Sequence, residues 1–376
     1  MLSSGIKFNS FKFSPVTRRF RQNLNHLLKN KNQVLDTLTN NYQLNYNKKK
    51  ISKYKKSKNF RIIGMGGSIL GTKAIYNFLN HKIRKKFFFV DNLRPTQKKE
   101  NGPYTNIIVS KSGNTLETVV NTNILIKKNE KNIFITEDKQ NYLNLLAKKL
   151  RAEIIHHNNY IGGRYSVLSE VGMLPAELMG LDPSKFKQLN SLIKDKRFIK
   201  SLLSSVASSI SFIKKKKFNS IILNYDEKSQ NLFKWYQQLI AESLGKKNNG
   251  ILPVISLMPR DNHSLMQLYL DGFKNNFFTF FYVNEKKSDE IKNNQILDQK
   301  KFLRKKNISN ILYAQKKASE NIFRKKNIPF RSFEISRRDE NTLGELFSFF
   351  ILETILIGKF FKINPFNQPS VELIKK

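Results

Sequence analysis

The sequence predicts an α/β protein with two successive units, each built on a doubly wound parallel sheet, and a helical C-terminal tail. Its 376 residues are enough for two domains of about 150 residues each. From residue 59 onward, short apolar segments alternate with helical segments, which is typical of βαβ units. After residue 183 the same alternation begins again, less regularly.

Residues 1–58 form a polar N-terminal segment that is rich in Lys and Asn. We expect one helix in it, over residues 17–38. The stretch 47–58 is strongly basic, and a charge run of this kind is typical of a solvated linker or helix end. The whole segment is therefore predicted to be helical and basic.

The first α/β unit is predicted to span residues 59–183. Two of its short apolar strands lead directly into a polar turn that is followed by a helix. The first turn reads Gly64-Met65-Gly66-Gly67-Ser68, and the second reads Ser110-Lys111-Ser112-Gly113-Asn114-Thr115. The predicted strands are 59–63, 86–90, 105–110 and 131–136, and the predicted helices are 69–79 and 116–128.

The second unit is predicted to span residues 184–340, and residues 341–376 are predicted to be a C-terminal helix and tail. The charged stretch 284–327 is expected to be helical and exposed. Glu353 and Lys359 interrupt the apolar stretch near the C-terminus, which predicts a buried amphipathic helix rather than a membrane span. The predicted strands are 219–225, 252–257, 276–283 and 328–335, and the predicted helices are 198–214, 232–244 and 344–361.

The net charge is +40, from 68 Lys and Arg against 28 Asp and Glu. Such a balance points to nucleic acid or an anionic membrane as partner. Lys, Asn, Ile and Phe are all abundant together, however, and A/T-rich codons produce the same skew. The excess Lys is scattered over linkers and helices rather than interleaved with an aromatic stripe. We therefore expect no nucleic acid and no membrane as partner, with nucleic-acid binding kept as a weaker alternative.

Cysteine is absent, which excludes disulfides, thiolate nucleophiles and Cys-based metal sites. His156 and His157 are the only two of the five His at close spacing, and neighbouring side chains of a strand point to opposite faces. We therefore expect no metal. The chain has no run of 18 apolar residues and no apolar signal-peptide core, so the expected location is the cytoplasm.

The two polar turns suit a phosphate ester. Glycines permit a tight turn, and the start of the next helix offers free N–H groups to an anion. At the second turn, Ser110, Ser112 and Thr115 add hydroxyl donors. Ile69 stands where a dinucleotide fingerprint needs its third glycine, so no nucleotide cofactor is predicted. Ordinary N-capping also explains each turn when it is taken alone.

Four further side chains are candidates for chemistry. Gln238 and Glu242 are four residues apart, so they lie on one face of a helix. His263 stands outside any basic or paired context, and Arg164 follows two glycines whose small size permits close approach to a ligand. Each of these positions also has an ordinary explanation, as a surface residue or a turn.

Six blocks of the sequence together resemble the glucose-6-phosphate isomerase family, and their order along the chain matches that family. Any single block is weak evidence, but six in the same order are specific. The resemblance implies two sugar-isomerase (SIS) units of flavodoxin-like, doubly wound type with a helical C-terminal tail. The blocks are Gly64 to Gly71, Ser110 to Thr118, Gly162 to Ser166, Trp235 to Gly245, Asp261 to Ser264 and Asn364 to Lys375.

The resemblance also implies an activity, the reversible isomerisation of glucose 6-phosphate and fructose 6-phosphate, without a cofactor. Glu242 matches the base that carries a proton between C2 and C1, and Arg164 matches the residue that stabilises the enediolate. His263 matches the ring-opening histidine, which the neighbouring subunit of a homodimer contributes in this family. Lys375 matches a further catalytic side chain near the ring oxygen. The substrate-binding positions match Gly67, Ser68, Ser110, Lys111, Ser112, Thr115, Gln238 and Gln368.

Some positions depart from the family pattern. Ser112-Gly113-Asn114 replaces a Thr-Phe-Thr sequence, and Asn367, Ser370 and Ile374 stand where Asp, Gly and Gly are usual. The alternative function is a catalytically silent SIS module that binds a sugar phosphate. Binding alone needs no base, so the joint presence of the four catalytic candidates favours an enzyme.

Overall fold

Two five-stranded sheets form the framework of the protein. The computed structural model describes residues 4–11, 14–96, 103–292 and 298–374. The strands are β1 Ile6–Asn9, β2 Asn59–Gly64, β3 Lys86–Val90, β4 Thr105–Val109, β5 Lys131–Glu137, β6 Glu153–His157, β7 Asn219–Asn224, β8 Leu252–Leu257, β9 Asn276–Val283 and β10 Phe330–Ile335.

Helices connect and cover the strands. The predicted helix over 17–38 is wrong as a single helix, because the side chain of Asn32 accepts hydrogen bonds from the N–H groups of Val34 and Leu35 and begins a second helix there. The α-helices are α1 Arg18–Lys29, α2 Gln33–Thr37, α3 Lys48–Ser52, α4 Leu70–Phe78, α5 Leu116–Leu125, α6 Tyr142–Lys149, α7 Glu170–Leu178, α8 Pro183–Phe186, α9 Leu189–Leu192, α10 Lys196–Lys214, α11 Gln230–Leu244, α12 Met266–Asp271, α13 Ile308–Lys325, α14 Glu340–Phe360 and α15 Pro369–Ile374.

The first sheet has the strand order β3-β2-β4-β5-β6, and all neighbouring strands are parallel. The chain places β3 on one side of β2 and then returns to place β4 on the other side. In sheets of this kind, ligands bind outside the carboxyl ends of the strands where the strand order reverses. Here that position lies at the ends of β2 and β4, where Gly64 is paired with Val109.

Both faces of the first sheet are buried by side chains that alternate along each strand. Ile62 and Ile107 belong to the main core of the molecule. Their neighbours Ile63 and Ile108 belong to a smaller core cluster on the other face, which Leu143 of α6 joins. This two-sided burial explains why the strands are mainly apolar on both faces.

The second sheet has the strand order β1-β10-β9-β7-β8, in which β1 is antiparallel to β10 and the other neighbours are parallel. The predicted pair of doubly wound parallel sheets is therefore confirmed. The sequence did not predict β1 or β6. In β1, Ile6 and Phe8 alternate with exposed residues, so only two apolar positions mark it. The division into the segments 1–58, 59–183, 184–340 and 341–376 stays a prediction.

Helix α14 is buried on every side between the other helices, so the prediction of an amphipathic helix is wrong here. Glu353 lies in its interior and pairs with Arg331 of β10, with 2.5 Å between the guanidinium and the carboxylate. Ser205 of α10 and Tyr236 of α11 also contact this pair. A fully enclosed ion pair thus joins three helices to the second sheet.

The stretch 284–327 is only partly as expected. It contains helix α13, as predicted, but Lys316 and Glu320 of that helix are buried and form an ion pair with 2.7 Å between their charged atoms. Within the described residues, no helix is long and apolar enough to cross a membrane. The same part of the chain shows no group of three or more His, Asp or Glu side chains that could hold a metal ion.

The ion pair between Arg331 and Glu353 gives a stability prediction. Arg331→Met should lower the free energy of unfolding by about 3 to 5 kcal/mol, because it leaves a carboxylate buried without its partner. Lys228→Met is the matched control, since Lys228 and Glu285 form an exposed pair, and it should cost less than about 1 kcal/mol. Denaturant unfolding of both variants measures this, and equal losses would contradict the prediction.

Candidate active site

The two polar turns lie side by side at the carboxyl edge of the first sheet. The first turn begins at Gly64 and the second follows Val109, and these two residues are paired between β2 and β4. A Cβ atom on Gly64 would lie 2.9 Å from the carbonyl oxygen of Val109 and 3.3 Å from the Cβ of Ser68. The sheet therefore brings together two turns that are far apart in the sequence.

Gly66 and Gly67 permit the first turn to touch the rest of the site. Gly66 has a φ of +52°, and a Cβ there would lie 2.9 Å from the amide nitrogen of Gln238. A Cβ on Gly67 would lie 2.2 Å from the carbonyl carbon of Gly163 and 2.5 Å from the backbone nitrogen of Arg164. Any side chain at Gly67 would therefore push the backbone that carries Arg164 out of place.

The side chain of Arg164 is only 2% exposed, and it donates five hydrogen bonds to its surroundings. Its Nε donates to the hydroxyl of Ser243 at 2.8 Å. Its Nη1 donates to Glu242 at 3.0 Å and to the side-chain oxygen of Gln368 at 2.8 Å. Its Nη2 donates to the backbone carbonyls of Pro365 at 2.6 Å and Asn367 at 3.0 Å. All five N–H groups of the guanidinium therefore have an acceptor.

Glu242 lies near the end of α11, and its carboxylate accepts hydrogen bonds from two side chains. Gln238, one turn earlier, donates to its Oε1 at 2.9 Å, and Arg164 donates to its Oε2. The Glu242 side chain keeps 27% of its surface exposed, so it faces an accessible space. A carboxylate that is fixed in orientation and still accessible is suited to accept a proton from a bound substrate.

The hydroxyl groups belong to the two turns at the carboxyl edge of the first sheet. The hydroxyls of Ser110 and Thr115 are 2.8 Å apart. Ser112 is exposed, and its oxygen accepts a hydrogen bond from the N–H of Asn114. Ser68 is half-buried, and within the described residues its hydroxyl has no hydrogen-bond partner. Thr115 is the N-cap of the ten-residue helix α5, so the second turn faces a helix N-terminus.

The ammonium group of Lys111 contacts other parts of the protein, near Asn159 and Glu137. It donates to the backbone carbonyl of Asn159 at 2.7 Å and lies 3.5 Å from the carboxylate of Glu137. Its backbone carbonyl accepts from the N–H of Glu137. The Lys111 side chain is thus used in contacts within the protein.

The structure does not bring every predicted residue into this group. His263 is exposed in a short 3-10 turn after β8, and within the described residues its side chain makes no hydrogen bond or ion pair. Lys375 lies outside the described residues. The structure therefore joins Gly67, Arg164, Gln238, Glu242 and Gln368 into one cluster, which contacts the first turn at Gly66 and Gly67.

Sequence reasoning missed several residues that hold this cluster together. The hydroxyl oxygens of Tyr165 and Ser243 are 2.8 Å apart and form a hydrogen bond. The hydroxyl of Tyr165 also donates to the carbonyl of Pro365. Burial raises the pKa of Tyr165, which keeps it neutral. Trp235 donates from Nε1 to the carbonyl of Arg164 at 3.1 Å. A signal for Trp235 was present in the composition, because it is the only Trp of the chain.

The family of the chain follows from a comparison with known proteins. A family model described as phosphoglucose isomerase matches residues 27–252. A glucose-6-phosphate isomerase of Methanocaldococcus jannaschii is 34% identical over 349 residues, which cover 87% of this chain and 85% of that protein. The chain belongs to the phosphoglucose isomerase family. The resemblance inferred from the six sequence blocks is confirmed.

Solved structures with the same fold agree with this assignment. A hypothetical protein from Thermus thermophilus superimposes with a TM-score of 0.81 at 22% identity, over 95% of this chain and 93% of that chain. A glucose-6-phosphate isomerase from Chlamydia trachomatis gives a TM-score of 0.73 at 18% identity, over 94% of this chain and 76% of that chain. The predicted fold class, two SIS-type α/β units, is confirmed.

The contact between Gly67 and Gly163 gives a prediction for the site of this family member. Gly67→Ala should displace the backbone of Gly163 and Arg164, lowering the free energy of unfolding by about 1 to 3 kcal/mol. The displacement should also shift the fluorescence of Trp235, whose indole is bonded to the carbonyl of Arg164.

Gly162→Ala is the matched control, since a Cβ there would have no neighbour closer than 3.8 Å. It should leave both the stability and the emission maximum near those of the wild type. Identical behaviour of the two variants would show that the turns do not press against each other as described.

Proposed function

We propose that this protein catalyses the reversible isomerisation of glucose 6-phosphate and fructose 6-phosphate through an enediolate. One observation carries the proposal: in a member of the phosphoglucose isomerase family, Glu242 is fixed by the buried Arg164 and by Gln238, which itself lies against Gly66 of the first turn. A module that only binds a sugar phosphate has no need of an accessible carboxylate held in this way.

Glu242 is the proposed base. Moving a proton between C2 and C1 of an aldose or ketose requires one group that removes the proton and returns it to the neighbouring carbon. A positioned carboxylate contributes roughly 10²- to 10⁴-fold to such a step. Because the proton transfer is redox-neutral and the base returns the proton that it removes, the proposed reaction needs no redox cofactor.

Arg164 is proposed to stabilise the enediolate as a fixed positive charge. The guanidinium already has five acceptors, so an enediolate oxygen would accept from Nη1 only in exchange for Gln368 or Glu242. Glu242 becomes neutral when it takes the proton, and a neutral carboxyl competes less strongly for Arg164. The positive charge therefore becomes available to the substrate at the moment when negative charge develops on it.

The phosphate group is proposed to lie in the second turn and against the end of the first. Ser68, Ser110, Ser112 and Thr115 supply hydroxyls, and α5 supplies the partial positive charge of its N-terminus. Gly67 contributes by keeping the turn close to Arg164. Lys111 contributes through its backbone, because its ammonium group is bonded to Asn159 and paired with Glu137.

His263 is proposed to open the sugar ring in the active site of a second copy of the chain, within a homodimer. Its exposed position and lack of partners among the described residues support this, since an imidazole that served its own subunit would lie beside Glu242. Lys375 is proposed to assist at the ring oxygen, and Gln368 to contact the sugar. The cytoplasmic location stays a prediction.

Replacement of the base gives the direct test of the function. Glu242→Gln should lower kcat for fructose 6-phosphate by roughly 10²- to 10⁴-fold with little change in folding, because it keeps the shape of the side chain. A coupled glucose-6-phosphate dehydrogenase assay measures this. Glu227→Gln is the control, since Glu227 is an exposed residue just before α11 and should leave kcat unchanged.

The same assay decides between the enzyme and the silent module. A wild type that is stabilised by fructose 6-phosphate in thermal unfolding, but shows no turnover, would establish the silent module. Wild-type turnover that Glu242→Gln leaves intact would remove Glu242 from the mechanism.

Subunit sharing predicts complementation between two inactive variants. In a mixed dimer of Glu242→Gln and His263→Ala, one site receives both changes and the other receives an intact Glu242 and an intact His263. Random mixing should therefore restore up to about a quarter of the wild-type activity. Unfolding and refolding the two variants together, with each variant refolded alone as control, measures this. No recovery would place His263 in the site of its own subunit, and a His263→Ala variant that is active alone would place His263 outside catalysis.

A further inference from the structure

Lys246 connects the end of helix α11 to the C-terminal segment of the chain. It follows Gly245, the residue that ends the helix. Its ammonium group donates to the carbonyl of Ser243 at 3.0 Å and to the carbonyl of Asn364 at 2.7 Å. The first acceptor directly follows Glu242, and the second lies shortly before Gln368. The contact therefore joins two parts of the active site.

Attraction between opposite charges does not hold the ammonium group of Lys246 in place. Within the described residues it forms no salt bridge; the charged groups that face it are the guanidinium of Arg164, which repels it, and the carboxylate of Glu242, which attracts it. Burial and Arg164 lower its pKa to about 8. The ammonium is held mainly by two backbone carbonyls, one of them at a helix C-terminus, where the helix dipole favours a cation.

The segment from Asn364 to Gln368 depends on contacts of this kind for its position. It is irregular chain between α14 and α15, so no ladder of backbone hydrogen bonds fixes it. Arg164 holds it at Pro365, Asn367 and Gln368, and Lys246 holds it at its beginning. A shift at Asn364 would move Gln368 away from Arg164.

We propose that Lys246 is a positioning residue for the isomerisation: it fixes the segment 364–368 against the end of α11, so that Gln368 and the base Glu242 share Arg164 in one geometry. The inference rests on the proposed function. It also extends to α15, which follows Gln368 directly and leads to Lys375. Lys246 itself does not act on the substrate.

The test compares Lys246→Met and Lys246→Arg with Lys247→Met as matched control. Lys247 is an exposed neighbour whose ammonium contacts the carbonyl of Lys362 at 3.4 Å, so its loss also removes a bond to the C-terminal region. Lys246→Met should lower kcat by about 10- to 100-fold, as expected when catalytic groups are misplaced by about an ångström. Lys246→Arg should restore most of it, and Lys247→Met should change neither kcat nor KM by more than about twofold.

Hydrogen exchange of the segment 362–374 provides a readout that does not depend on turnover. Lys246→Met should speed exchange in this segment while the exchange of β2 and β4 stays as in the wild type. If Lys246 only caps the helix, Lys246→Met should lower the midpoint of thermal unfolding without changing kcat or the exchange of this segment.

The outcomes separate the two proposals. An active wild type with an equally active Lys246→Met, or an effect that Lys247→Met reproduces, would overturn the positioning role. If the wild type shows no turnover, the proposed function fails, and the exchange measurement still decides whether Lys246 holds the segment in place.

Discussion

The candidate active site depends on the need of one buried guanidinium for five hydrogen-bond acceptors. Arg164 is almost completely removed from water, and a buried N–H without a partner is costly. Its acceptors come from the end of α11 and from the irregular segment after α14, and its backbone rests on Gly67. These parts therefore have to assemble around Arg164 in one arrangement. The position of Glu242, and with it the chemistry, is a consequence of that assembly.

Most strands and helices could be predicted because they depend on the pattern of apolar and polar residues within a short stretch of sequence. Strands buried on both faces are mainly apolar, and most of them are followed by a turn and a helix, so the pattern along the chain predicts the sheet. The strand order, which the structure supplies, then places the turns after Gly64 and Val109 side by side. Gln238 and Glu242 were placed on one face by helical spacing alone, and their hydrogen bond agrees with that.

The features that escaped prediction depend on contacts between distant residues. Nothing near Ile6 in the sequence indicates that it pairs with Ile335. The orientation of the Lys111 ammonium is decided by Asn159 and Glu137, and the charge of Glu353 inside an apolar helix is accommodated by Arg331. In each case a partner far along the chain changes what a local pattern implies, so spacing and composition cannot supply it.

The pairing of β1 with β10 has a consequence for the order in which the protein is made. All five strands of the first sheet have been synthesised by His157, so that sheet can form while the chain still grows. β1 is made first of all, but its partner β10 is the last of the described strands to be made. Until then its apolar residues and those of the incomplete second sheet lack their cover, and an uncovered strand edge invites pairing with other chains. The second sheet can therefore be completed only after almost the whole chain has been synthesised.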